Sequence, residues 1–433
     1  MAITSETEIL ARQDQPTGNW SKNSPGYQTL LVFLLSLNFG IVFFDRQALN
    51  VLIPMGVEAD LQLSQTQIGL LASGLSFSWA IAAFFVGRLS DSLGKRKLLL
   101  IIATIAFSLC SFLSGLATSF LFLFAARLLM GAAEGGVMPI SHAMVASEVD
   151  PNRRGLAQGV AQNLGSNLLG SFLAPVVLVA FATAFSWREA FYLAAVPGIV
   201  SAALIWFLLK EPEPVKIAGT EKSISIREAL KERNMWICVV VGVLMVAHFV
   251  ITWAFMPFYL VEGKGIDTST MSWLMGALGI AAAIYSFVVS GISDYIGRKP
   301  VMVALPFLSV LGPLGALYFE GSAMVLAAIF FVGWAVNGTF PIFMATIPSE
   351  TFKPIHHATV LGLAMGSCEI LGGVFGPPIA GMLNDAFGID AFLYVLMVLA
   401  VISGFVSMGL RETAPVALAR RAASSAPAKG HAF

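Results

Sequence analysis

Four charged side chains interrupt stretches that are otherwise apolar. Asp45 and Arg46 adjoin each other in NFGIVFFDRQALN, and Arg127 and Glu134 stand in FAARLLMGAAEGG. Arginine offers a planar fork of donors that stays charged and matches a carboxylate. A carboxyl group in a partly dry site is pulled two ways, because burial favours the neutral acid and an adjacent arginine favours the anion. When an arriving anion takes the arginine, the carboxylate loses its partner and binds a proton more readily. The set therefore carries the chemistry for coupling anion binding to proton binding. The competing structural reading is a fixed ion-pair lattice between helices, although four charges in two segments exceed what packing needs. Arg127 and Glu134 are seven apart, which puts them on one helix face about 10.5 Å apart along the axis.

Other polar groups are spread more thinly. Gln158, Gln162, Asn163 and Asn167 fall in one apolar segment, where they could hydrogen-bond hydroxyl or carboxylate groups, or bond between helices. Glu369 stands in the small-residue stretch GSCEILGG, which also suits close packing. Asn38 and Asn337 are weaker candidates of the same kind. His142 and His248 read as hydrogen-bonded interior histidines. Phe43, Phe44, Phe77 and Trp253 could line an apolar wall, but any one of 33 phenylalanines is more readily explained by packing. Cys110, Cys238 and Cys368 all lie in apolar segments, and no disulfide framework or metal motif is suggested. No cofactor is expected.

The elements that position these residues follow from composition. The chain has 433 residues, 57% hydrophobic and 12% charged, with a mean hydropathy of +0.82. A soluble domain carries about 25% charged residues. A soluble enzyme, a nucleic-acid binder and a disordered scaffold are excluded, and the long apolar runs exclude a β-barrel. An all-α polytopic membrane protein remains. A crossing helix needs about 20 apolar residues. Twelve such segments are found, at about 29–54, 67–88, 98–117, 120–145, 156–181, 189–209, 236–260, 272–293, 301–318, 322–346, 358–383 and 390–410. The expected organisation is a tail 1–28, a six-helix bundle 29–209, a charged central loop 210–235, a second bundle 236–410 and a tail 411–433. The polar first 28 residues hold no apolar signal-peptide core.

With both termini inside, 21 of the 25 Lys and Arg fall on the cytoplasmic side. Only Arg188 and Lys264 fall outside, and Arg46 and Arg127 lie within spans. Basic residues mark the cytoplasmic face, so this orientation is expected. Net charge is zero, which offers no basic surface for nucleic acid.

The two halves repeat. Gly87-Arg-Leu-Ser-Asp91-Ser-Leu-Gly94-Lys95-Arg96-Lys97 follows span 2, and Ser290-Gly-Ile-Ser-Asp294-Tyr-Ile-Gly297-Arg298-Lys299 follows span 8, with the two aspartates 203 residues apart. Duplicated halves mark secondary transporters, whose substrate site lies near the midplane between them. The Gly87, Asp91, Gly94, Lys95 and Arg96 pattern resembles the loop 2–3 motif of the major facilitator superfamily, and the twelve spans and long central loop match along nearly the whole chain. The resemblance implies two pseudo-symmetric six-helix bundles that rock about a central cavity. Asp91, Asp294 and the neighbouring Lys95, Arg96 and Arg298 would latch the cytoplasmic side, with Gly87 and Gly297 permitting close approach. Setting topology alone is the plainer role for the positive charges.

Asp45-Arg46, with Arg127, Glu134, Gly135 and Pro139, resembles the anion:cation symporter family within that superfamily, and Trp187-Arg188-x-Ala190-Phe191 fits the same pattern. That family includes carriers of sugar acids, phthalate, other organic anions and vesicular glutamate. The resemblance implies a proton-coupled symporter importing a small organic anion, with Arg46 and Arg127 at the substrate and Asp45 and Glu134 at the proton. Gln162, Asn163, Asn167 and Glu369 complete the expected substrate set. Spinster-like lipid carriers share the Asp-Arg and Arg/Glu pattern and supply the alternative, a lipid or drug exporter. Drug:proton antiporters carry G-x-x-x-G-P-x-x-G-G in span 5, where this chain has only Gly165, Gly170 and Pro175. Aromatic-acid symporters usually show Asp-Gly-Tyr-Asp in span 1, where this chain has Phe43-Phe44-Asp45-Arg46. No nucleophile elbow, phosphate loop or pore filter supports an enzyme or a channel. The expected setting is the bacterial inner membrane, with the chain acting as a monomer.

Overall fold

A computed structural model describes residues 24–150, 153–212, 224–353 and 356–425. Among them, twelve helices are long enough to matter for crossing a bilayer. In the first half they are α1 (Pro25–Met55), α2 (Gln65–Leu93), α3 (Arg96–Gly115), α4 (Phe120–Glu148), α5 (Ala157–Ala184) and α6 (Trp187–Leu208). In the second half they are α7 (Arg233–Gly263), α8 (Thr268–Ile296), α9 (Arg298–Tyr318), α10 (Ala323–Thr351), α11 (Val360–Phe387) and α12 (Ala391–Ser407). Eleven are long and apolar enough to cross a membrane, and α12, with 17 residues, is the shorter one. No strand occurs among the described residues.

Local chemistry sets the ends. Ser64 and Gln67 form a reciprocal capping box at the start of α2, with bonds of 3.0 and 3.2 Å. Gly94 ends α2 at φ +64°, a left-handed conformation that glycine adopts without strain. Asp267 caps α8 by accepting from the Thr270 amide at 2.9 Å. Helix α4 breaks at Gly135–Gly136, and Glu134 is the last residue of its first half.

Several boundaries differ from the sequence reading. Helix α1 starts at Pro25 and α7 at Arg233, so both reach into segments expected as tail and loop. A short helix, Ile226–Ala229, forms in the central loop, and another, Pro415–Ser425, in the C-terminal tail. The repeated motif was expected in a loop, yet Gly87 and Asp91 lie on the helical backbone of α2. Their side chains lie outside the described residues. Charged residues in a helix's last turns look like loop in a hydropathy scan, although the helix runs on past the apolar stretch.

The bundles touch at one end only. Far from the basic loops, one apolar core runs across both halves, with Leu49, Leu71 and Leu178 in the same cluster as Ile251, Met275 and Leu396. Towards the basic loops the core splits into separate clusters that each stay within one bundle. Glycines make the closed end tight. A Cβ on Gly69 would stand 2.3 Å from the Pro377 carbonyl oxygen, one on Gly381 2.3 Å from that of Gln65, and one on Gly279 2.4 Å from the Ser171 carbonyl carbon. At the other end of the same helices, Gly159, Gly291, Gly362 and Gly366 face open space. The Asp385 carboxylate on α11 seals the closed seam by accepting from the Gln65 and Thr66 amides of α2, each at 2.9 Å.

Ties within the first bundle brace this end. Arg188 and the Trp187 indole donate to Asp60 at 2.6 and 2.9 Å. Those bonds, Arg188 first, hold the Asp60 carboxyl below the usual carboxylate range. Its tie is thus present above the ordinary carboxylate pKa and is lost as pH falls through the depressed value.

The seam supplies a test. Valine at Gly381 cannot fit against the Gln65 carbonyl, so Gly381→Val should shift the protein towards separation at this end. Spin labels at Gln62 and Ala386, both exposed, read the change as a longer interlabel distance. The three native cysteines are buried and leave a low labelling background. An unaltered distance distribution would refute the seam.

Candidate functional site

Between the bundles lies a cavity of about 360 Å³, lined from both halves. The contact between α1 and α5 shapes its first wall. A Cβ on Gly165 would stand 1.8 Å from the Ser36 carbonyl oxygen, and one on Gly40 would stand 2.7 Å from the Gly165 oxygen. The Ser36 hydroxyl donates to the Val160 carbonyl at 2.9 Å and accepts from the Gly165 amide at 3.0 Å. With the two backbones this close, Arg46 of α1 and the α5 residues Gln162, Asn163, Ser166 and Asn167 face one space. These α5 residues sit in wide π-helical turns, which are frequent at functional sites.

Arg46 and Arg127 are the cations that line this space, and Arg46 is the more exposed, with 23% of its side chain accessible. Its guanidinium carbon stands 5.4 Å from the Phe43 ring and 5.7 Å from that of Trp79. Arg46 Nε lies 3.7 Å from Glu134 Oε2, whose side chain is fully buried. Glycines place that partner. A Cβ on Gly131 would stand 2.2 Å from the Leu75 carbonyl oxygen and one on Gly135 2.5 Å from that of Trp79, so α4 lies hard against α2. The ion pair has no hydrogen bond within it, and neither Glu134 carboxylate oxygen accepts a hydrogen bond among the described residues.

Asp45 turns away from the cavity and is fully buried. Ser111 of α3 donates to Asp45 Oδ1 at 2.6 Å, and its hydroxyl is 3.2 Å from the Phe191 carbonyl oxygen. Arg127 is 1% exposed, with Nη1 3.2 Å from Met130 Sδ and its guanidinium 5.3 Å over the Phe191 ring. Its Nε and Nη2 find no partner among the described residues. Arg127 thus borders the same cavity as Arg46 but is far less exposed, with Asp45, Glu134 and Arg46 among the charged groups near it.

The second wall is apolar and aromatic. Phe249 lies 5.8 Å from Trp334, 6.3 Å from Trp253 and 5.7 Å from Phe340 between ring centroids. Asn337, Ser286 and Glu369 are its polar groups. Of the aromatics singled out in sequence, Phe43 and Trp253 line the cavity, Phe44 is in the core, and Phe77 is 49% exposed on the outside. Ser111, Ser76 and Trp79 escaped the sequence reading, since nothing marks one serine or tryptophan among many. Asn38 is structural, accepting from Thr104 and Ser201 at 3.1 and 2.9 Å. His248 Nδ1 bonds the Leu396 carbonyl at 3.2 Å, and His142 bonds Gln158, which is not among the cavity-lining residues.

The repeated motif lies at the basic end. Arg96 donates to the Ala143 carbonyl at 3.3 Å, and Lys95 is exposed. In the second half Arg298 pairs with Asp294 at 2.5 Å and with Glu350 of α10 at 2.9 Å. Glu412 accepts from the Arg298 and Lys299 amides at 2.7 and 3.2 Å. These bonds brace each bundle internally while the end between them stands open.

The sequence pattern described as Major Facilitator Superfamily matches residues 35–292 and 249–431. The chain belongs to the major facilitator superfamily. It is similar to the hexuronate transporter of Bacillus subtilis (strain 168), 29% identical over 396 residues, covering 84% of this chain and 90% of that protein. It is also similar to the multidrug resistance protein MdtG of Dickeya zeae (strain Ech586), 28% identical over 392 residues, covering 84% and 91%. Among solved structures, a bacterial homologue of the human lysosomal transporter Spinster superposes with a TM-score of 0.74 at 17% identity, covering 89% of this chain and 97% of that one. That likeness concerns the fold. As a member of this superfamily the protein is a multi-pass membrane transporter.

Proposed function

We propose that the protein is a proton-coupled carrier that imports a small organic anion by alternating access. The observation that carries this is the Arg46–Glu134 pair at the cavity wall. An anion that takes Arg46 leaves Glu134 unpaired in a dry site, and the neutral acid then becomes the favoured form. Arg127 and Asp45 form the second shell of the same charge system, and Gln162, Asn163 and Asn167 offer amides to the body of the substrate. The similarity to a hexuronate transporter supports a carboxylate ligand.

The basic loops are taken as cytoplasmic, with both termini inside the bacterial inner membrane. The conformation is then inward-open. Opening of the closed seam and closure of the end that carries the two D-x-x-G motifs belong to the outward-open form, and the Asp294–Arg298 pair is already made in the inward-open one. The protein is proposed to work as a monomer.

The test is uptake of radiolabelled glucuronate into proteoliposomes. An inward proton gradient should drive accumulation of about tenfold per pH unit for each coupled proton. If no hexuronate or aromatic acid accumulates while a lipid or a cationic drug moves, the exporter reading replaces this one. The similarity to MdtG is the observation favouring that second reading.

A further inference from the structure

Glu369 is the acidic residue that the second bundle contributes to the cavity. No hydrogen bond or ion pair joins its carboxylate to another described side chain. Arg46, on the opposite wall, is the cation acting on it, with Glu134 behind Arg46. On its own bundle, His248 is turned away to the Leu396 carbonyl, and Cys368 points to the Val239 carbonyl. From α2 it is met by uncharged Ser76. A Cβ on Gly373 would stand 3.2 Å from Glu369 Oε2 and 3.5 Å from Ser76 Oγ, so the carboxylate lies where α11 meets α2. Directly above it, Gly69 and Pro377 close the seam.

Formal charge sharpens the point. Asp45, Arg46, Arg127 and Glu134 sum to zero when all are ionised, so Glu369 leaves the site with one net negative charge. An anion seated on Arg46 would face that carboxylate across the cavity. Glu369 also sits on the seam that must part when the far end opens, so water reaches it from the cavity in one form and from the seam in the other. A carboxyl group with no partner among the described residues, facing the anion site and reached from alternate sides, is placed to carry a proton.

We infer that Glu369 is a second proton-carrying residue of the transport cycle, on the bundle opposite Asp45 and Glu134, and that it is neutral whenever an anion occupies Arg46. This rests on the proton-coupled anion reading. It makes import of a monovalent anion electrogenic, since two protons enter with one negative charge.

The test counts protons. Purified protein is titrated with glucuronate and with galacturonate in buffers of different ionisation enthalpy, and proton uptake per anion bound is read by calorimetry. Glu369→Gln should lower that number by close to one and reduce the slope of log Kd against pH by up to one. Glu369→Ala should give the same loss, and Glu369→Asp should keep the wild-type count. Because glutamine imitates the neutral acid, Glu369→Gln should bind at least as tightly as wild type at neutral pH. An unchanged proton count overturns the assignment while the anion reading stands, and so does loss of binding in folded Glu369→Gln. If neither sugar acid binds the wild-type protein, the anion reading fails and this assignment fails with it.

Discussion

Replacing Arg46 by alanine is expected to abolish uptake and to weaken anion binding by at least about thirtyfold. Arg46 is the more exposed of the two arginines that line the cavity, with 23% of its side chain accessible, whereas Arg127 is 1% exposed. Truncating one partner of a desolvated charge pair costs about 2–5 kcal/mol, and each 1.4 kcal/mol is tenfold in affinity. The upper end of that range applies to a ligand held by both arms of the fork. Lysine in place of Arg46 keeps the charge but loses the planar fork and its place between Phe43 and Trp79, so Arg46→Lys should fall between the two. Calorimetry with glucuronate measures both variants, and circular dichroism checks that the helices persist. Near-normal affinity in Arg46→Ala would move the substrate away from this wall.

Arg127→Ala should act differently. The residue is fully enclosed, with two N–H groups unpartnered, and Asp45 and Glu134 are the charges acting on it. Removing it leaves carboxylates without a balancing cation, so its loss should first disturb proton binding and stability. Arg127 already borders the cavity, but at 1% exposure a direct hold on substrate needs more of its guanidinium to be uncovered.

Particular residues show what the sequence could and could not reveal. That Asp45-Arg46 and Arg127–Glu134 share a depth follows from helix rise and chain direction, and the Arg46–Glu134 pair realises it. The direction of each side chain did not follow. Adjacent residues on a helix point about 100° apart, so Asp45 and Arg46 need not face the same space, and packing against α3 decides that Asp45 turns away. Ser111 makes that choice visible with its 2.6 Å bond to Asp45. The amides of α5 were legible as polar residues in an apolar segment. Their common facing follows from the spacing of four, since Gln162, Asn163, Ser166 and Asn167 fall on one helical face, whereas the wide turns that carry them were not legible. Glu369 begins a similar wide turn in α11, the fifth helix of the second half. The helix count came from apolar runs, whereas the ends of α2 and α7 came from caps and charged last turns that hydropathy assigns to loops.

Replacing Glu134 by glutamine should remove the share of concentrative uptake driven by the proton bound at Glu134 and leave substrate exchange intact. In the wild-type protein Arg46 is shared. Either Glu134 holds it at 3.7 Å, or the anion does and Glu134 is left alone with a side chain that no water reaches. The second state becomes affordable when Glu134 takes a proton, and this makes binding tighter as pH falls. Glutamine is permanently neutral. It frees Arg46 for the anion at every pH, so binding in Glu134→Gln should lose the part of its pH dependence that Glu134 supplies and be tighter than wild type above neutrality. The gradient then loses the proton bound at this position. Each coupled proton is worth about 1.4 kcal/mol per pH unit, a tenfold accumulation ratio. Accumulation should drop by that factor per pH unit at least, and to unity if no other group binds a proton on its own. Counterflow of labelled against unlabelled glucuronate measures exchange without any gradient, and it separates a carrier that has lost its drive from one that has lost its fold. Undiminished accumulation in Glu134→Gln would show that the proton is carried elsewhere, and the unpaired carboxylate of Glu369 would then be the group to test.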